Sequence, residues 1–124
     1  MFLFGRDKFD VKVEKLRLIG RIEQIQSRMI PQGLQKVTMA LDKVINLLDD
    51  KYLSVRKEQV VLVDTFLSDI DAHLCKQYES LLLKKCEHIT SVVRGDYDLD
   101  EHTVTRIKNE DRLFEMLGDR KSVV

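Results

Sequence analysis

Between Gly33 and Gly95 the chain runs for sixty-one residues without a glycine or a proline. Glycine supplies left-handed helix caps, and proline cannot continue a helix interior, so so long an uninterrupted run reads as long helices. The remaining punctuation falls where helix ends are needed, at Gly5, Pro31 with Gly33, Gly95 and Gly118. Only Gly20 interrupts a helical pattern, and a close approach of two helices there would explain it.

Apolar periodicity fills in the elements. A first helix is expected from Asp7 or Asp10 to about Met29, with Phe9, Val13, Leu16, Ile19, Ile22, Ile25 and Met29 along one face. After Pro31-Gln-Gly33, the residues Leu34, Val37, Leu41, Val44 and Leu48 step by 3, 4, 3, 4, an a/d seam over two heptads. A turn is expected at Asp49–Ser54, with Ser54 as an N-cap. Then comes the longest stripe: Val60, Val63, Leu67, Ile70, Leu74, Tyr78, Leu81 or Leu82, Cys86, Ile89 and Val93. Unbroken, it makes one helix of about 40 residues, about 60 Å long at 1.5 Å per residue. Asp98 and Glu101 form a capping-box pattern for a last helix to about Leu117, with Val104, Ile107, Phe114 and Leu117 inward and Gly118 as its cap. The fold class is therefore all-α, a three- or four-helix bundle with one long helix, in a single domain over residues 1–124. Residues 1–6 and 119–124 are expected to be flexible.

Composition narrows the function. Lys plus Arg and Asp plus Glu number 21 each, so the chain lacks the basic surplus that a dedicated nucleic-acid binder needs. No stretch has the length and apolarity of a membrane span or a secretory leader. Two cysteines, Cys75 and Cys86, make no disulfide framework, and a cytoplasmic location is expected. Peripheral membrane contact through Phe2, Leu3 and Phe4, ahead of Arg6 and Lys8, is the one membrane role open to the chain. The same three residues could instead join a partner surface or plug the end of the bundle.

Several residue pairs resemble sites and fail on spacing. His73-x-Cys75 and Cys86-x-His88 carry zinc-ligand chemistry, but residues two apart on a helix point about 200° apart. Cys75 and Cys86 lie roughly 16 Å apart along a helix, too far for a disulfide. Asp96-x-Asp98-x-Asp100 opens like a calcium loop, yet Glu101 and Ile107 stand where Gly and a bidentate Glu are needed. Asp69 and His73 share a helix face, as do Asp64 and Asp71. With no third partner the former pair reads as a surface hydrogen bond, and the latter as coincidence in a highly charged chain. Ser122-Val-Val124 fits the short C-terminal pattern read by strand-addition grooves.

Glu115-Met-Leu-Gly-Asp119, together with Val63-Asp64, Ile70-Asp71 and Met39-Ala-Leu-Asp-Lys-Val44, resembles the motifs of PhoU-type proteins, helical regulators of phosphate uptake. Met116 stands where that family has Arg, and Asp100 departs from its D-L-R stretch. The resemblance implies Glu115 and Asp119 as ligands of a divalent or iron metal ion. Bottom-up, the same residues are a C-cap with surface charges.

The leading expectation is a non-enzymatic helical protein–protein interaction module, an adaptor, regulator or assembly factor without a cofactor. It is expected to self-associate through the wide apolar stripe Leu62, Phe66, Ile70, Leu74 and Tyr78. A helix of about 40 residues outreaches a compact bundle of this size, so either it breaks or another chain covers its excess stripe, and the second option motivates this expectation.

Overall fold

The computed structural model describes residues 9–96 and 105–106. Four α-helices and no strand occupy the described residues: α1 (Val11–Met29), α2 (Gln35–Asp49), α3 (Lys57–Ala72) and α4 (Glu79–Arg94). The all-α bundle holds. The expected last helix, with Asp98, Glu101, Glu115, Gly118 and Asp119, lies outside the described residues except for Thr105 and Arg106, which are helical and exposed. Outside them too lie Phe2, Leu3 and Phe4, and the C-terminal Ser122-Val-Val124.

Each boundary has a local cause. Asp10 caps α1, its side chain accepting from the Val13 amide at 3.2 Å. At the other end Ile30–Gln32 tightens into a 3-10 turn with Pro31 near its start, and Gly33 takes φ +71. That left-handed turn lets the Gly33 amide donate to the Ile30 carbonyl at 3.1 Å. Helix α2 ends at Asp49 as expected, but the next cap is Arg56 rather than Ser54. The Arg56 amide donates to Gln59 Oε1 at 2.6 Å, so the Gln side chain reaches back over the first turn. Gly95 ends α4 at φ +79. A Cβ placed on Gly20 would meet nothing within 4 Å, so no close helix approach explains that glycine.

The stripe expected to make one long helix is broken. Ala72 ends α3, Cys75 is extended at φ −146, and a 3-10 turn over Lys76–Tyr78 leads into α4. No glycine or proline marks the break. Side chains hold it instead: His73 Nδ1 lies 2.7 Å from the Asp69 carbonyl oxygen, and Lys76 Nζ donates to the Gly33 carbonyl at 3.1 Å. The gain is tertiary, because α3 and α4 fold against each other and bury one stripe from both sides. Gln59 Nε2 at the start of α3 donates to the Val92 carbonyl near the end of α4 at 2.7 Å, which makes the pair antiparallel.

The helices pack as a square in the order α1, α2, α4, α3. Contacts fix their directions. Lys15 early in α1 donates to the carbonyls of Asp50 and Leu53 just past α2, each at 2.7 Å, so α1 and α2 are antiparallel. Arg17, Arg21 and Arg28 of α1 meet Asp64, Ser68 and Asp71 of α3 in the same order, so α1 and α3 are parallel. It follows that α2 and α4 are parallel as well. The interior is Leu18, Ile22 and Met29 from α1, Val37, Leu41 and Val44 from α2, Phe66 and Ile70 from α3, and Leu82 and Ile89 from α4, all at most 1% exposed. Each such side chain removed from water contributes about 1.5–3 kcal/mol before entropy is counted.

The a/d seam expected for α2 is buried throughout. The stripe expected for α1 is only half right. Ile22, Ile25 and Met29 are buried, but Val13 and Leu16 are exposed at 55% and 62%. Stepping back from Met29 by helical turns gives Ile25, Ile22, Leu18 and Lys15, and it is this row that faces inward. Lys15 holds the last inward place because two loop carbonyls satisfy its ammonium while its stem packs.

Candidate interaction surfaces

The stripe expected to bind a partner is not on the surface. Leu62, Phe66 and Ile70 are 1%, 0% and 0% exposed, and the same chain's other helices cover them. Leu74 and Tyr78 are half-buried at the α3–α4 break and pack against the core from outside both helices. Periodicity found the buried row correctly, and this chain's own folding supplies the cover that a second copy was expected to give.

The polar pairs are likewise occupied. Asp64 accepts a fork from Arg17 at 2.7 and 3.1 Å and a further bond from Arg21 at 2.7 Å. Partial burial alone would raise the Asp64 pKa, and is the largest single influence. The hydrogen bonds and charges of Arg17 and Arg21 together outweigh it and hold the carboxyl below its usual range. Arg17 moves in the matching direction, its pKa raised first by the hydrogen bond to Asp64 against partial desolvation. Asp71 pairs with Arg28. The two carboxylates thus face arginines of α1 rather than a shared metal.

Asp69 and His73 do not form a carboxylate–imidazole pair. Asp69 Oδ2 accepts from Lys85 at 3.1 Å, while His73 Nδ1 meets the Asp69 main-chain oxygen. Lys85 is 3% exposed, and its ammonium also stands 5.4 Å above the Phe66 ring. A buried ammonium persists when paired, and these two contacts provide the pairing. The histidine–cysteine set also disperses: Cys86 and His88 stand two apart within α4, as the helical spacing requires, whereas residues 73–75 are not helical. The His73 ring meets Tyr78 edge-on at 5.6 Å, and His88 lies 6.3 Å from Phe66. Both thiols are free. Burial, with a smaller push from Glu87, raises the Cys86 thiol to about 12, so it stays protonated and inert. Among the described residues no three His, Cys, Asp or Glu side chains converge as a metal site would require. Asp96 sits 4.0 Å from Arg94, and its calcium-loop companions Asp98 and Asp100 lie outside the described residues. No helix among the described residues is long and apolar enough to cross a membrane.

Two concave surfaces remain. One is a groove of about 710 Å³ along the outer face of the parallel α2–α4 pair. On α2, Lys36, Met39, Ala40 and Lys43 stand at i, i+3, i+4 and i+7, so one helix face supplies them all. On α4, Leu83, Glu87, Thr90 and Arg94 complete the opposite wall. The floor is apolar, and Met39 on it is 64% exposed. Lys36 and Lys43 have no ion pair among the described residues, and Asp42 of the same helix turns away to accept from Gln26 at 2.8 Å. The groove therefore presents a flexible apolar side chain between cations. Reading the sequence for buried stripes overlooked it. The signal was present as an apolar Met39 off the inward row, flanked by lysines three and four residues away.

The other surface is a cleft of about 440 Å³ where α1 begins and α2 ends. Val11, Leu16 and Ile19 form one wall, and Leu48, Tyr52 and Leu53 the other. Tyr52 is 84% exposed, with Lys51 Nζ 5.1 Å from its ring centroid.

No protein-family model, no curated protein and no solved structure matches the chain.

Proposed function

We propose that the protein is a non-enzymatic helical interaction module whose docking surface is the α2–α4 groove. The observation that supports this is the pairing of an apolar floor, exposed Met39 with half-buried Ala40 and Leu83, with a rim on which the cations Lys36, Lys43 and Arg94 outnumber the one acid, Glu87. Such a groove between parallel helices suits an amphipathic helix of a partner protein, laying its apolar face on the floor and its acids against the rim. The rim supplies register and encounter rate, and the floor supplies most of the affinity. A cytoplasmic setting accords with two free thiols.

The test begins with capture of partners from the native host by the tagged chain. A captured protein's acidic amphipathic segment is then titrated as a synthetic peptide. Lys36→Glu with Lys43→Glu is expected to weaken that peptide at least tenfold. Equal affinity for both forms of the protein sinks the assignment of the groove. A second copy of the chain is a candidate partner too, and sedimentation velocity with the same double variant reads it directly.

The PhoU-type reading is the alternative, and it rests on Glu115-Met-Leu-Gly-Asp119, outside the described residues. Elemental analysis of the purified protein separates the two. Bound iron, zinc or manganese that is lost on Glu115→Ala favours the metal regulator, and a metal-free protein removes it.

A further inference from the structure

The sulfur atoms of the described residues stand in very different surroundings. Met29 is 0% exposed, and the Thr38 hydroxyl donates to its thioether at 3.5 Å. Cys86 is buried and held as the thiol, and Cys75 is half-buried at the α3–α4 break. Met39 alone among them is open, 64% exposed on the floor of the α2–α4 groove. A thioether needs no ionisation to react with an oxidant, so solvent access governs how fast it does. Its neighbours on the helix are cations. Lys36 and Lys43 stand one turn before and one turn after it, at i−3 and i+4, and line the same groove.

We propose that Met39 is an oxidation switch for this groove, its thioether converted by a peroxide to the sulfoxide. The proposal rests on the reading of the groove as a docking surface. In the step itself a sulfur lone pair forms the S–O bond as the peroxide O–O bond breaks. The departing hydroxide takes the proton of the transferred oxygen and leaves as water. Sulfur gives up two electrons and the peroxide gains them. Negative charge develops on the departing oxygen, and the two flanking ammonium groups have the sign that stabilises it. The product changes the groove in two ways. The floor becomes polar where it was apolar, so a partner that covers it must now desolvate a strong acceptor. The new oxygen also sits between two lysines and competes with a partner's acids for their donors. The fold is spared, because Met39 lies off the inward row of α2. At Met29 the same chemistry would put a polar oxygen into the core, and burial withholds it there.

The test uses the full chain with methyl-labelled methionine, so that NMR reports each methionine separately. Met39→Leu assigns the signal and serves as the control, since it stays apolar, lacks the sulfur and keeps both cysteines. Hydrogen peroxide is the oxidant. Anilinonaphthalenesulfonate, an apolar ring system with one anionic group, is the groove probe. Met39 is expected to convert at least about tenfold faster than Met29, with helical circular dichroism and melting temperature little changed. The probe is expected to shift the Met39 signal of the reduced protein and to bind about fivefold more weakly after oxidation. Methionine sulfoxide reductase should restore binding, and Met39→Leu should bind the probe as tightly after peroxide as before it. Equal conversion of Met39 and Met29 overturns the proposal. So does a melting temperature that falls in step with Met39 conversion, which would make the residue structural. Probe affinity that oxidation leaves unchanged overturns the switch and leaves the docking surface standing. A probe that never shifts the Met39 signal of the reduced protein counts against the docking surface itself and takes the switch with it.

Discussion

The bundle has two seams between parallel helices, and they are finished differently. Along α1–α3, Arg17, Arg21 and Arg28 reach across to Asp64, Ser68 and Asp71, so the outer face is closed by charge-assisted bonds. Along α2–α4, the outer face carries Met39 and Ala40 between Lys36 and Lys43, with no ion pair to those lysines among the described residues. Both seams cover the same interior. The contrast shows that closing the core does not require closing the surface.

The largest expected effect comes from beneath both seams. Phe66 is fully buried, its ring faces the Lys85 ammonium at 5.4 Å, and it lies near His88 of α4. Phe66→Ala removes the ring, leaves a cavity and strips one contact from a buried cation. The expected loss is about 3–5 kcal/mol, read from the denaturant midpoint. A loss below about 1 kcal/mol would mean that α3 is not docked as described, and the comparison of seams would collapse with it.

Next comes the closed seam itself. Asp64→Asn keeps the shape and removes the charge that Arg17 and Arg21 share, with an expected cost of about 1 kcal/mol, the upper end for pairs that touch water. The sign of its pH dependence follows from the lowered pKa of Asp64. A carboxyl whose folded pKa lies below its unfolded value of 3.8 contributes stability above that pH and loses it as pH falls through the folded value. Wild type should therefore lose its advantage over Asp64→Asn as pH falls below about 4, and raised salt should shrink it at neutral pH. An unchanged midpoint across both variables would show that the arginines decorate the seam without holding it.

How much of this was readable in advance depends on which force fixed each residue. Leu34, Val37, Leu41, Val44 and Leu48 were legible because one helix buries one face and repeats by threes and fours. Gly33 and Gly95 were legible because a positive φ selects glycine. Lys15 was not, because a charge at an inward position makes sense only once the carbonyls of Asp50 and Leu53 are in place, and passing over it shifted the expected stripe onto Val13 and Leu16. The break after Ala72 had no local mark, since folding α4 back on α3 is a tertiary choice. For the same reason Leu62, Phe66 and Ile70 could be read as covered, while the choice between a broken helix and a second chain as their cover stayed open. The open groove was hardest to see, because exposure of Met39 is defined by what fails to pack on it.

A smaller effect should run in the opposite direction. Gly20 sits in the middle of α1, the helix of the closed seam, and a Cβ there meets nothing within 4 Å. Gly20→Ala is expected to stabilise by about 0.5–1 kcal/mol, by removing conformational freedom from the unfolded chain and improving helix propensity. A melting temperature that falls instead would mean that α1 relies on a bend or contact at this point, and that the closed seam is adjusted by more than its ion pairs.

The smallest effect on stability, and the sharpest separation of the seams, is expected from Lys36→Glu with Lys43→Glu. If these lysines held α2 against α4 as Arg17 and Arg21 hold α1 against α3, reversing two charges would cost at least as much as Asp64→Asn. Nothing in the described residues pairs with them, and Arg94 across the groove offers an added cation that the new carboxylates could meet. The midpoint should therefore stay within about 0.5 kcal/mol of wild type, the usual range for surface changes away from any specific feature. Retained stability with lost binding would place the lysines in recognition alone. Lost stability would make the groove a structural seam like its counterpart, with its cations part of the fold.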